Sequence, residues 1–153
     1  MKKMSKAVIL FCGVMGLASF AYAKIPIPLT CPQVSQIRYI NGHYVTTNGW
    51  GQVGSVQNQR LEGLTFSEAM MSLSQNGPGS FGPGAVTCSY SGTASNGQAY
   101  MALNPGVRPP NYQPSSQNDV YLPFGSNWSK PDSYGTVKCT SSLDSCLFGK
   151  ANG

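Results

Sequence analysis

The chain has 153 residues, with ten lysines and arginines against five aspartates and glutamates, and 10% charged residues overall. Eighteen glycines and eleven prolines argue for turns and short strands over long helices, while recurring aromatic residues exclude a disordered chain. Three of the ten cations fall within residues 1–23, so the remainder holds seven against five, scattered singly, which gives no electrostatic footprint for nucleic acid.

The chain starts MKKMSK, continues with the apolar run AVILFCGVMGLASF and ends that stretch in AYA. A basic start, a short apolar stretch and a small-x-small site predict a signal peptide over 1–23, cleaved after Ala23, and a periplasmic or secreted product. A membrane anchor needs about twenty apolar residues, and the sequence after Lys24 does not continue the run, so no stable membrane insertion is expected after cleavage. Cys12 does not read as a lipid-attachment site, because Phe11 stands where a small residue is required. Residues 24–153 then form a single exported β-rich domain, long enough to bury about two thirds of its unfolded surface.

Four cysteines remain in that domain: Cys31, Cys88, Cys139 and Cys146. An even number in an exported chain reads as two disulfides out of three possible pairings. The preferred pairing is Cys31 with Cys88 and Cys139 with Cys146, stabilising by roughly 4 and about 2.5 kcal/mol in the chain-entropy model. A zinc site would want close C-x-x-C pairs with histidine partners, and neither is present.

KIPIPLT, residues 24–30, is an extended lead-in because each proline biases the residue before it to β or polyproline geometry. Cys31-Pro32 opens the first strand, and Asn41-Gly42 divides two β-rich runs between Gln36 and Thr47. A two-residue type I′ turn there sets Ile40 opposite His43, Tyr39 opposite Tyr44 and Ile37 opposite Thr46. Tyr39, Tyr44 and Ile37 then share a core or groove face, whereas His43 shares the other with Ile40, Arg38 and Val45. His43 is the only histidine, with no carboxylate in the hairpin to orient it, so it reads as a strand residue and not as a general base.

A weakly patterned strand is expected over Gln52–Leu61. In LTFSEAMMSLSQNGP, residues 64–78, Thr65 and Glu68 have capping-box spacing, and Phe66, Ala69, Met70 and Leu73 recur at helical spacing. One short amphipathic helix packed on a sheet is expected there, with Met70 and Met71 as packing residues and not metal ligands. Residues 76–85 form a Gly-Pro loop lacking the lysine of a phosphate-binding motif. VTCSYSG alternates so that Val86, Cys88 and Tyr90 share one face, and Asn96-Gly97 returns the chain into QAYMALN as a second hairpin. Residues 104–119 make a long proline-rich loop, Val120–Phe124 an edge strand, 126–133 a turn carrying Trp128, Tyr134–Cys139 a last strand, and 140–146 a tight closing loop.

The chemistry-bearing patterns are missing. No G-x-S-x-G elbow occurs, and the carboxylates Glu62, Glu68, Asp119, Asp132 and Asp144 lie singly, with Glu68 assigned to capping. The chain therefore reads as non-enzymatic and without a cofactor. Exposed aromatics suit glycan stacking or protein contact, and Tyr112, Trp128, Tyr121 and Tyr134 are the candidate binding residues for an unknown protein or glycan ligand. The alternative is a small hydrolase inhibitor that inserts a disulfide-held loop, 139–146 or 104–119, into an active site.

A Cys-Pro start with a nearby isoleucine (Cys31, Pro32, Ile37), a Gly-Trp segment (Gly49, Trp50), a Cys-x-Tyr strand (Cys88, Tyr90) and the C-terminal Cys139 to Phe148 run resemble a family of small exported bacterial proteins of unknown function. The resemblance spans nearly the whole of 24–153 and implies the same Cys31–Cys88 and Cys139–Cys146 pairing. It brings no activity and no active-site residue. The expected architecture is a mainly antiparallel β-sandwich-like domain with one short α-helix and two disulfides.

Overall fold

The structure, a computed structural model, describes residues 27–53, 59–73, 84–107 and 120–151. Among these, the strands are β1 (Ile37–Ile40), β2 (His43–Thr46), β3 (Trp50–Val53), β4 (Glu62–Ser72), β5 (Val86–Ala94), β6 (Gly97–Pro105), β7 (Tyr121–Pro123), β8 (Thr136–Cys139) and β9 (Phe148–Lys150). Seven of them build one antiparallel sheet in the order β1-β2-β3-β6-β5-β4-β8, while β7 and β9 pair apart from it. Leu29 bridges Phe148, adding the lead-in to the small sheet. The architecture is mainly β and antiparallel, as the composition predicts.

The first hairpin has the register set by Asn41-Gly42: Ile37 opposite Thr46, Tyr39 opposite Tyr44 and Ile40 opposite His43. Both turn residues carry positive φ, 51° and 84°, as a type I′ turn requires. In the second hairpin Ala94 pairs with Gly97, so Ser95 and Asn96 occupy the turn, one residue earlier than expected.

The expected helix is corrected. Residues from Glu62 to Ser72 form the long strand β4, hydrogen-bonded to β5 on one side and β8 on the other. Register shifts between Glu62 and Thr65, and between Phe66 and Glu68, break its alternation. The second shift explains the helical spacing of its apolar residues. An extra residue in a strand turns the core-facing interval from two residues into three, so Phe66 and Ala69 both face inward at a spacing that imitates a helical turn. Thr65 caps nothing; its hydroxyl lies 3.0 Å from that of Ser91 on the neighbouring strand. Pairing on both sides overrides the local helix propensity of Ala, Met and Glu.

Two further boundaries differ. The weak strand begins earlier, at Trp50, with residues 54–58 of its expected span outside the described residues. Thr136–Cys139 is also not the last strand, since the chain returns through Phe148–Lys150. The expected signal peptide and most of the 76–85 and 104–119 loops lie outside the described residues.

One face of the large sheet carries the core. Ala69, Met71, Val86, Cys88, Tyr90, Met101 and Leu103 are buried there against Phe148, Tyr121 and Cys31. Both disulfides have the preferred pairing. Cys31–Cys88, 57 residues apart in sequence, draws the N-terminal segment onto β5. The Tyr90 hydroxyl reinforces this by donating to the Pro32 carbonyl, and the Tyr44 hydroxyl accepts the amide of Leu61. On the same face the Gln52 Oε1 accepts the Tyr44 amide at 3.0 Å, which satisfies a buried polar side chain.

Burial raises the pKa of both tyrosines, Tyr90 strongly and Tyr44 despite the opposing amide of Leu61. The fold therefore favours the neutral phenols. Their contribution is complete below the ordinary tyrosine pKa, about 10, and drains away as pH rises past it towards the folded values. Urea titrations should show a stability that falls above about pH 10, and Tyr90→Phe should make the fall shallower. A stability flat through that range would refute the assignment.

Candidate binding face

The alternation of β5 divides its residues cleanly. Val86, Cys88, Tyr90, Gly92 and Ala94 are buried, whereas Thr87, Ser89, Ser91 and Thr93 occupy the intervening, more exposed positions. Every outward side chain of this strand is therefore a hydroxyl. The rest of the outer face follows from the register. Thr65 and Glu68 of β4 pair with Ser91 and Ser89, Tyr100 of β6 pairs with Ser91, and Ala102 pairs with Ser89. Lys138 of β8 pairs with Met70. The face is a row of hydroxyls with two carboxylates, Glu62 opposite Thr93 and Glu68 opposite Ser89, one ammonium and one large aromatic, Tyr100, which is 59% exposed.

At the other end this face is roofed. A Cβ on Gly51 would lie 2.3 Å from the Val107 carbonyl oxygen, so only glycine lets the backbone of Val107 cross there. Asn104 stands opposite Gly51 in the β3–β6 register and is fully buried. Among the described residues neither its Oδ1 nor its Nδ2 has a hydrogen-bond partner. A buried unpaired amide is destabilising, by about 1–3 kcal/mol in mutational series.

The aromatic candidates from the sequence do not share a surface. Tyr121 is only 7% exposed and stacks edge-on against Phe148, with ring centroids 5.7 Å apart, so it belongs to the core. Trp128 is half-buried against the core, and its indole Nε1 donates to the Leu147 carbonyl at 2.6 Å. Tyr134 is 60% exposed in the loop before β8, and Tyr112 lies outside the described residues. Trp50 is buried beside Phe148. Tyr100 is not among the sequence candidates, although it lies out of phase with Met101 and Leu103 in its strand.

Among the described residues the reactive groups remain dispersed, and Asp119 lies outside them. His43 sits half-buried beside the hairpin turn, opposite Ile40. The Asp132 carboxylate accepts the amides of Tyr134 and Thr136 at 2.9 and 2.8 Å, and Asp144 accepts the Gln33 side chain at 3.1 Å. Among the described residues no three His, Cys, Asp or Glu side chains gather as a metal site. No helix among them is long and apolar enough to cross a membrane.

Asn104→Leu replaces the orphaned amide with an apolar side chain of similar volume. It should raise stability by about 1 kcal/mol in urea titrations. A loss of stability would show that the amide is hydrogen-bonded in solution.

No curated protein and no solved structure matches the chain. A family model does match, over residues 24–149, which takes in both disulfides and every strand but the end of β9. On that match the chain belongs to DUF3757, a family of proteins of unknown function.

Proposed function

We propose that the protein is an exported, non-catalytic binding module that takes a neutral glycan on the outer face of its large sheet. The observation that carries this reading is the hydroxyl row Thr87, Ser89, Ser91 and Thr93 with Tyr100 exposed beside it. Each hydroxyl both donates and accepts, which matches the mixed donor and acceptor edge of a sugar ring. A tyrosine ring offers the flat apolar surface on which a sugar stacks, at low entropic cost. Glu62 and Glu68 stand beside the hydroxyl row against the single ammonium of Lys138, which disfavours a polyanionic ligand.

Export rests on the signal-peptide pattern of residues 1–23, and two buried disulfides suit an oxidising periplasmic or extracellular destination. The non-catalytic reading rests on the dispersal of His43 and the carboxylates among the described residues. The inhibitor reading gains nothing from the 139–146 loop, because Asp144 is tied to Gln33 and Cys146 is fully buried, which hold the loop against the body.

The test is retention on a panel of insoluble neutral and charged polysaccharides. A neutral polysaccharide should retain the oxidised protein, and Tyr100→Ala should weaken retention about tenfold, equivalent to ~1.4 kcal/mol. Retention by no polysaccharide, or equal retention of the variant, overturns the reading.

A further inference from the structure

The two edges of the large sheet are finished differently. At β1 the outward groups of Ile37 are satisfied locally: its amide bonds to the Val34 carbonyl, and its carbonyl accepts Arg38 Nη1 at 3.2 Å. At β8 the closure comes from another segment. The Lys138 amide donates to the Ser129 hydroxyl at 3.0 Å, and its carbonyl accepts the Ser129 amide at 2.7 Å. The Thr136 amide donates to Asp132 Oδ1 at 2.8 Å, and its carbonyl accepts the Asp132 amide at 3.0 Å. Two residues of one loop thus occupy all four outward backbone groups at positions 136 and 138.

That loop has its own moorings. Asn127 Nδ2 donates to the Ser145 carbonyl at 3.1 Å, and Trp128 Nε1 and the Phe124 amide both donate to the Leu147 carbonyl, at 2.6 and 2.9 Å. Ser145 and Leu147 flank Cys146, and Cys146 is crosslinked to Cys139, the last residue of β8. The crosslink therefore fixes the moorings relative to the strand that the loop covers.

We infer that the Cys139–Cys146 disulfide guards the β8 edge, and that without it β8 pairs antiparallel with β8 of a second copy of this chain. The second copy fits because the outward groups lie symmetrically about Val137. A two-fold axis there sets Thr136 opposite Lys138 of the other copy, restoring the four hydrogen bonds now made by Ser129 and Asp132. The same pairing keeps the two Lys138 ammonium groups from lying directly opposite each other. A chain whose thiols at 139 and 146 are still reduced carries this edge open, the exposure that sheet proteins otherwise suppress.

The test uses the full chain with Cys139→Ser and Cys146→Ser together and Cys31–Cys88 intact. At low concentration, hydrogen exchange at the Thr136 and Lys138 amides should accelerate at least about tenfold, while β5 and β6 amides keep their protection. At high concentration, light scattering should report a dimer in which those two amides are protected again. Unchanged exchange overturns the guard, and a variant that stays monomeric overturns the second copy as the occupant. If the double variant fails to fold, Ser129→Ala with Asp132→Ala, both disulfides retained, removes the two side-chain acceptors directly. Exchange at the Thr136 and Lys138 amides must then accelerate, and unchanged exchange refutes the loop as the closure of this edge.

Discussion

The Cys31–Cys88 crosslink is the constraint on which the rest of the structure depends. Cys88 lies at the centre of the large sheet, paired with Ala69 on one side and Leu103 on the other, and all three are fully buried. A sulfur bond from that point holds the N-terminal segment over the sheet. That segment carries Leu29, whose bridge to Phe148 ties the small sheet to the same layer. Closing so long a loop stabilises by roughly 4 kcal/mol in the chain-entropy model, a large share of the 5–15 kcal/mol typical of a domain. The Tyr90 hydroxyl on Pro32 then fixes the orientation of the segment that the crosslink brings near.

The same strand sets the division between the two faces. With Cys88 committed to the core, period-two alternation obliges its neighbours Thr87 and Ser89 to face outward, and Ser91 and Thr93 continue the row. The hydroxyl face is thus a geometric partner of the crosslinked core, since slipping β5 by one residue would exchange them. Glycine at 51 lets Val107 close one end of that face, and Asn104 lies buried under the closure. The strap over β8 completes the sheet by sealing an edge, so the protein presents a face to its surroundings and not a row of unpaired strand groups.

Much of this was legible in the sequence where the signal is local. Asn41-Gly42 determines a hairpin register residue by residue, and the V-T-C-S-Y-S alternation puts Cys88 on its core face. The disulfide pairing matches the preferred one. What was hidden depends on partners distant in sequence. The β4 irregularity at Phe66–Glu68 writes a helical interval into a strand, and only pairing with β5 and β8 reveals it. The strand Phe148–Lys150 is three residues long and gains its identity from Leu29 and β7. For the candidate site, aromatic content alone does not separate Tyr121, packed on Phe148, from Tyr100, which is exposed. Their strand phases do, once the registers are known.

Peptide mapping of the purified chain under non-reducing conditions tests the central constraint most directly. The account predicts two crosslinked species, Cys31 with Cys88 and Cys139 with Cys146, and no free thiol among the four. An exchanged pairing, or an alkylatable thiol at position 31 or 88, would contradict it.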